Sequence, residues 1–303
     1  MTYQGYLHCY WISRMLNILE EVVSSNLIDK TYQDGSTSLN LTHIPRNSFV
    51  LLRAINNPSQ TAIVRHVGKG KFKLIQRQNH MVEPKDSTQV VFLDSLYNPE
   101  VLLSVCVGMA GSGKSLLASS YAVSMYQTKR IPILLSKPTS TVGSNHAFGA
   151  VPGDVKEKYS PYLQSYQIVL EKLMGKDSKS YLKNMETQGD LQYIPIELAR
   201  GCTFDNCTFI LDEAQNLSWH ELNTIISRMG NNTKMIVLGD LKQIDTRMSD
   251  KETGLYKLIN STAFQQSPIS SGIQLSHQYR SPITQLIADV DTELREQGEA
   301  KSR

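Results

Sequence analysis

The chain is poor in the residues that build the specialised protein classes. Cysteine occurs four times in 303 residues, as Cys9, Cys106, Cys202 and Cys207. Four thiols make no disulfide scaffold, and their spacing matches no zinc motif. Cys202 and Cys207, five apart, are expected to be two separate thiols, and so few cysteines fit a reducing cytoplasm. No apolar run reaches the ~18 residues that a membrane helix needs, so no membrane partner is expected. The N-terminus has neither the basic start nor the small-residue cleavage site of a signal peptide. Charge of one sign is also missing: 31 Lys and Arg against 28 Asp and Glu leave +3, so any nucleic-acid surface has to be local. There are no internal repeats and no low-complexity tracts. What remains, 40% hydrophobic and 19% charged residues, describes an ordinary globular chain. Its length suits one large α/β domain with a smaller piece.

The smaller piece is expected over residues 1–80. Trp11, Met15, Ile18 and Val22 fall at helical spacing, which predicts an amphipathic helix over Tyr3 to Val23 packing on its own domain. Turn signals follow at Asp34-Gly35 and Ile44-Pro45. Strands are then predicted at Phe49–Arg53, Thr61–Val67 and Lys71–Ile75, separated by Asn56-Asn57-Pro58 and Gly68-Lys69-Gly70. This small β meander is basic. Arg53, Arg65, His66, Lys69, Lys71, Lys73 and Arg77, with Phe72 among them, form a candidate nucleic-acid surface, against the plainer reading of a solvated charged face. Glu83-Pro84-Lys85 marks the boundary to the second unit, residues 81–303. There a helix (Ser87–Leu96) and then alternating strands and helices predict a parallel sheet covered on both faces. The polar stretch Gly175 to Asp190 reads as a mobile surface insertion.

The second unit carries its chemistry at Gly108-Met109-Ala110-Gly111-Ser112-Gly113-Lys114-Ser115. This fits the P-loop pattern G-x-x-x-x-G-K-[ST] at every fixed position. Leu102 to Val107 before it reads as a buried strand and Leu116 to Met125 after it as a helix. Glycines let the backbone approach phosphates, and the loop amides with the helix N-terminus supply positive potential. Lys114 is the candidate for the β/γ-phosphates and the Ser115 hydroxyl for Mg²⁺. The nucleotide expected is ATP.

A P-loop needs an acidic partner. Thr208-Phe209-Ile210-Leu211 is an apolar strand that ends in Asp212-Glu213. Ligands bind at the carboxyl ends of strands in open α/β sheets. Asp212 is therefore assigned to Mg²⁺ and Glu213 to polarising the attacking water. The next strand, Met235 to Leu238, ends in Gly239-Asp240-Leu241-Lys242-Gln243. Asp240 and Gln243 are candidates for sensing the γ-phosphate.

These motifs, taken together, resemble the PhoH-like family of P-loop ATPases, relatives of superfamily 1 helicases. The resemblance runs through the P-loop, Ser136-Lys137-Pro138-Thr139-Ser140-Thr141-Val142-Gly143 and Val151-Pro152-Gly153-Asp154. It continues through Ala199-Arg200-Gly201, Asp212-Glu213-Ala214-Gln215-Asn216, Ser227-Arg228-Met229-Gly230 and Gly239 to Asp245. It implies a RecA-like ATPase domain, Mg²⁺-dependent ATP hydrolysis coupled to RNA, and commonly a hexameric ring. Gln89, by the same resemblance, contacts adenine. Lys137 stands where Arg is usual, which keeps the charge but loses the bidentate fork. Asn47 to Arg53 also resembles the linker of the longer, nuclease-bearing form of the family. The PIN nuclease domain of that form is expected to be absent, and no ribonuclease activity is carried over.

His277-Gln278-Tyr279-Arg280-Ser281 resembles a helicase motif whose arginine comes from a second core. No second core fits in the 23 residues after Arg280, so Arg280 or Arg228 is expected to reach a neighbouring subunit's ATP. Lys137, Thr139, Ser140 and Thr141 are candidate RNA-backbone contacts, and His146, Phe148, Tyr159 and Tyr162 candidate base stackers. The function expected is ATP hydrolysis driving RNA remodelling or unwinding. The alternative is a slow ATP-binding assembly or accessory module for a separate nuclease.

Overall fold

The structure is a computed structural model; it describes residues 16–41, 44–76, 78–138, 155–176, 178–241 and 250–279, with 282–283, 286–287, 290 and 293. Two sheets organise them. The first is five-stranded: β1 (Leu19–Val23), β2 (Ser36–Ser38), β3 (Phe49–Ala54), β4 (Thr61–Gly68) and β5 (Lys71–Leu74), in the order β1-β3-β4-β5-β2. Helix α1 (Ser25–Asp34) covers it, capped by the Ser24 hydroxyl at one end and by left-handed Gly35 at the other. Burial alternates along β5, with Phe72 and Leu74 inward and Lys71 and Lys73 outward.

The predicted helix over Tyr3 to Val23 is corrected at its end. Residues 19–23 form an edge strand parallel to β3, with Leu19 opposite Val50 and Val23 opposite Ala54. Val22 is exposed, whereas Leu19 and Val23 pack on the sheet's core. The run Leu-Glu-Glu-Val-Val satisfies a two-residue period, and its β-branched end favours the strand. Trp11 and Met15 lie outside the described residues. The basic surface is corrected too: Phe72 is fully buried, and Arg65 and His66 are nearly so. Arg53 pairs with Glu20. Lys69, Lys71 and Lys73 stay exposed. Arg77 lies outside the described residues.

The second sheet has six parallel strands: β6 (Leu103–Gly108), β7 (Ile133–Ser136), β8 (Leu191–Tyr193), β9 (Thr208–Leu211), β10 (Lys234–Gly239) and β11 (Ser270–Leu275). Their order is β11-β6-β10-β9-β7-β8, with every pairing parallel. The alternation divides the core into two layers. Cys106, Ile210, Ile236 and Leu238 face one layer, built with α2 (Ser87–Tyr97), α3 (Lys114–Lys129), α4 (Val155–Met174) and α5 (Ser178–Gln188). Val105, Phe209, Leu211, Met235 and Val237 face the other, with α6 (Trp219–Ile226), α7 (Gly254–Ile259) and α8 (Thr262–Gln266). This is the parallel sheet with helices on both faces that the alternating pattern predicts.

The polar stretch 175–190 is not a bare loop. It holds α5, whose Leu182 and Met185 are buried in the first layer. Two apolar positions three apart suffice to dock a helix whose other faces are polar. No described helix is long and apolar enough to cross a membrane. Cys106 is fully buried in β6, and Cys202 and Cys207 are not joined by a disulfide. The two sheets meet closely. Phe49 of β3 belongs to the large sheet's first core layer, and Asn47 donates to the carbonyls of Pro268 and Ser270.

Candidate active site

The P-loop connects β6 to α3. Gly111 and Gly113 hold φ of 83° and 96°, values that side-chain-bearing residues rarely adopt. Gly113 is the residue before α3, and no side chain caps that helix, which leaves its first amides open to an anion. Lys114, 8% exposed, folds back and donates to the carbonyls of Gly108 and Met109. The Ser112 amide donates to Met109 as well.

Three neighbouring strand ends bring the other groups to this loop. β10 lies between β6 and β9, so the residues after β9 and β10 flank the P-loop. The Ser115 hydroxyl donates to Asp212 Oδ2 at 3.1 Å. Asp240 Oδ2 accepts from the Ala110 amide at 3.1 Å, tying the end of β10 to the loop itself. Asp212 is 7% exposed, and burial, followed by the charge of Glu213, pushes its carboxyl above the ordinary range. A buried carboxylate with a hydroxyl on one oxygen, next to the P-loop, fits a divalent cation. Mg²⁺ ordinarily takes one or two protein oxygens and completes its shell with phosphates and waters. Ser115 and Asp212 are the residues that would hold it.

Glu213 has φ 54° and ψ 35°. A left-handed glutamate is strained by about 1–3 kcal/mol, and such strain gathers where a side chain has to be aimed. The Glu213 amide donates to Asp212 Oδ1 at 2.9 Å. Two partners hold the Glu213 carboxylate. Gln215 Nε2 donates to Oε2 at 2.6 Å, and Lys137 Nζ lies 3.7 Å from Oε1. Lys137 comes from the end of β7, the strand beside β9.

The motif spacing leaves two contributors without a role. Gln215, fully buried, accepts from the Asp240 amide at 2.9 Å while donating to Glu213, so one side chain joins the two strand ends. Its place within Asp212-Glu213-Ala214-Gln215 was the available signal. Tyr166 on α4 is buried beside Ser115 and Asp212, and burial and the Asp212 charge raise its phenol well above the ordinary value. Its hydroxyl has no well-aligned hydrogen bond among the described residues. Nothing in the local sequence marks it, since it arrives from a helix some fifty residues away.

The remaining candidates separate. Gln89 is buried against the P-loop: Nε2 donates to Ser112 O at 2.9 Å and Oε1 accepts from the Lys85 amide at 2.8 Å. An adenine contact would have to replace one of these bonds. Arg228 is half-buried just past α6, and its Nε is buried with no hydrogen-bond partner among the described residues. Gln243, Arg280, Thr139, Ser140, Thr141, His146 and Phe148 lie outside the described residues, as do the side chains of Tyr159 and Tyr162. The segment before Arg280 reaches the loop. The Tyr279 amide donates to Gly111 O at 2.9 Å, and the Gln278 amide nitrogen approaches Met109 Sδ at 3.0 Å.

A P-loop with these flanking acids is widespread; family membership needs sequence comparison. The family description "PhoH-like protein" matches residues 81–291. The chain is a PhoH-like protein. It is 30% identical over 254 residues to Protein PhoH2 of Bacillus subtilis, covering 80% of this chain and 56% of that one. It is 28% identical over 170 residues to Protein PhoH of Escherichia coli, covering 56% and 47%. The chain thus spans about half the length of these curated relatives. Among solved structures, Pif1 helicase from Candida albicans aligns with a TM-score of 0.37 at 18% identity, over 71% of this chain and 44% of that one. The PhoH-like chain is accordingly a member of a P-loop NTPase family, and residues 108–115 carry its P-loop sequence.

Proposed function

We propose that this PhoH-like protein hydrolyses ATP with Mg²⁺ and couples the reaction to binding and remodelling or unwinding of RNA. The observation that carries the reading is the Ser115–Asp212 hydrogen bond at 3.1 Å, with the left-handed Glu213 beside it. It joins a hydroxyl at the start of α3 to a buried carboxylate at the end of β9, which is the pair that Mg²⁺ in a P-loop site requires. Lys114 binds the phosphates, and Glu213 takes the proton of the attacking water. Bound Mg²⁺ supplies charge neutralisation at the phosphates.

Lys137 gives this reading its coupling. Its ammonium faces Glu213, and an RNA phosphate is a competing anion for the same lysine. RNA that draws Lys137 away releases the Glu213 carboxylate for water. An arginine from a neighbouring subunit, Arg228 or Arg280, completes the site in trans within a homo-oligomeric ring, and Gln243 with Asp240 reports the γ-phosphate. The test is the ATPase rate with and without single-stranded RNA, followed by a strand-separation assay. The expected result is stimulation by RNA that disappears in Lys114→Ala. Hydrolysis indifferent to RNA removes RNA as the partner.

A second reading is an ATP-binding assembly or accessory module for a separate nuclease, with slow turnover. The contacts of Glu213 with Lys137 and Gln215 favour it, because a carboxylate held on both oxygens is a poor base. Turnover that RNA never raises, with co-purification of a nuclease, distinguishes this reading from the first.

A further inference from the structure

Away from the P-loop, a cavity of about 510 Å³ lies between the small sheet and α2. Small-molecule sites occupy roughly 300–1,000 Å³. One wall is β4 and β5; the others are α2 and the segment 75–84. Gln89, which faces the P-loop, does not line it.

The strands place two cations together. Arg65 and Lys73 are directly opposed in the β4–β5 register, an arrangement that costs stability unless something negative lies between or beside them. Arg65 is 7% exposed. One carboxylate meets it: Asp94 Oδ2 lies 3.3 Å from Arg65 Nε. Arg65 Nη1 and Asn98 Nδ2 are buried and have no hydrogen-bond partner among the described residues. Behind them Lys234 Nζ donates to the carbonyls of Ser95, Asn98 and Val101. The second lining carboxylate, Glu83, is exposed at the rim. The interior therefore carries more buried N–H donors than its own residues satisfy, and such donors call for an acceptor from a ligand or water. On the opposite wall the Tyr97 and His80 rings stack on one another, 4.7 Å between centroids and 34° between planes, beside the amides of Gln76, Gln78 and Asn79; a planar base would extend such a stack.

We propose that this cavity binds a nucleotide unit, its phosphate held by Arg65 and Lys73 and its base lying on the Tyr97–His80 pair. The base edge has Asn98 and the three exposed amides for hydrogen bonding. The unit is either a free mononucleotide or one nucleotide of a strand; both offer the same phosphate and the same flat base.

AMP is the probe, because it lacks the β- and γ-phosphates that a P-loop cradles. Calorimetric titration is run on the wild type, Lys114→Ala, Lys73→Gln and Arg65→Gln. The expected result is one AMP per chain, bound equally by wild type and Lys114→Ala. Lys73→Gln weakens it about fivefold and Arg65→Gln about tenfold or more, as expected for a lost charged hydrogen bond. Lys73 is on the surface, so its variant remains informative if Arg65→Gln fails to fold. Displacement of AMP by a short RNA assigns the site to a strand, and persistence of AMP assigns it to a free nucleotide; both uphold the proposal. No AMP binding, binding lost in Lys114→Ala, or affinity indifferent to Lys73→Gln overturns it.

Discussion

Replacing Lys137 by alanine removes the cation that faces Glu213 at 3.7 Å. At an effective permittivity of 20 two unit charges at that distance attract by about 4 kcal/mol. Both side chains reach solvent, with 25% and 37% of their areas exposed, so the full figure does not apply. Exposed pairs contribute about 0.2–1 kcal/mol, and that is the range adopted for this one. If the pair must open before Glu213 can take a proton, its loss lowers the barrier by the same amount. A barrier lowered by about 1 kcal/mol raises the rate about fivefold. Lys137→Ala is thus expected to raise the RNA-free ATPase rate by up to about fivefold and to shrink the stimulation by RNA in proportion. Steady-state phosphate release, with and without single-stranded RNA and at two salt concentrations, measures both. Added salt should raise the wild-type basal rate and leave the variant's unchanged, since screening weakens the pair. A basal rate that falls in Lys137→Ala, or RNA stimulation that survives intact, would refute the coupling.

Other consequences follow from the same geometry. Gln215→Ala strips the buried Asp240 amide of its acceptor and Glu213 Oε2 of its donor, so unfolding free energy should drop by about 1–3 kcal/mol in denaturant titration; an unchanged midpoint contradicts the link between β9 and β10. Ser115→Ala removes the hydroxyl from Asp212, so the Mg²⁺ concentration for half-maximal ATPase should rise about tenfold, while a fluorescent nucleotide binds equally in EDTA. Burial pulls the Lys234 ammonium down to about 7 in the fold, from the usual 10.5. Between those values the unfolded chain binds more protons than the native one. Stability should therefore rise with pH from about 7 towards 10 by up to about 1.4 kcal/mol per unit, and Lys234→Met should lose that slope. Equal slopes in both proteins would show that the three carbonyl partners of Lys234 keep it charged throughout.

In the large sheet β6, β7, β9 and β10 were legible because each is a short apolar run, and because the P-loop supplies its own strand, loop and helix; β8 (Leu-Gln-Tyr) and β11 (Ser-Ser-Gly-Ile-Gln-Leu) were not, since polar residues interrupt both. Asp212 and Asp240 followed from one rule, that ligands gather at strand carboxyl ends, and the order β6-β10-β9 puts both beside the loop. Periodicity failed where segments were short. Residues 19–23 fit a helix and a strand equally until β3 offered an edge for pairing. The stretch 175–190 looked like a loop because a helix docked by Leu182 and Met185 carries almost no apolar signal. The basic character of the small sheet was correctly read as composition but not as surface. The two-residue alternation turns Phe72 inward, and Arg65 is buried with its guanidinium against Asp94 of α2. Contacts between distant segments were out of reach: Lys137 with Glu213, Tyr166 beside Asp212, and Arg65 with Asp94 each join elements that no local pattern connects.

The account turns on Glu213 as the group that activates water. Single-turnover hydrolysis by wild type and Glu213→Gln, with ATP binding measured alongside, tests it most directly. The account predicts that Glu213→Gln binds Mg·ATP as the wild type does and hydrolyses it slower by about 100-fold or more, the contribution of a positioned general base. Hydrolysis at the wild-type rate would contradict it and leave a nucleotide-binding site in which Glu213 only holds Lys137 and Gln215.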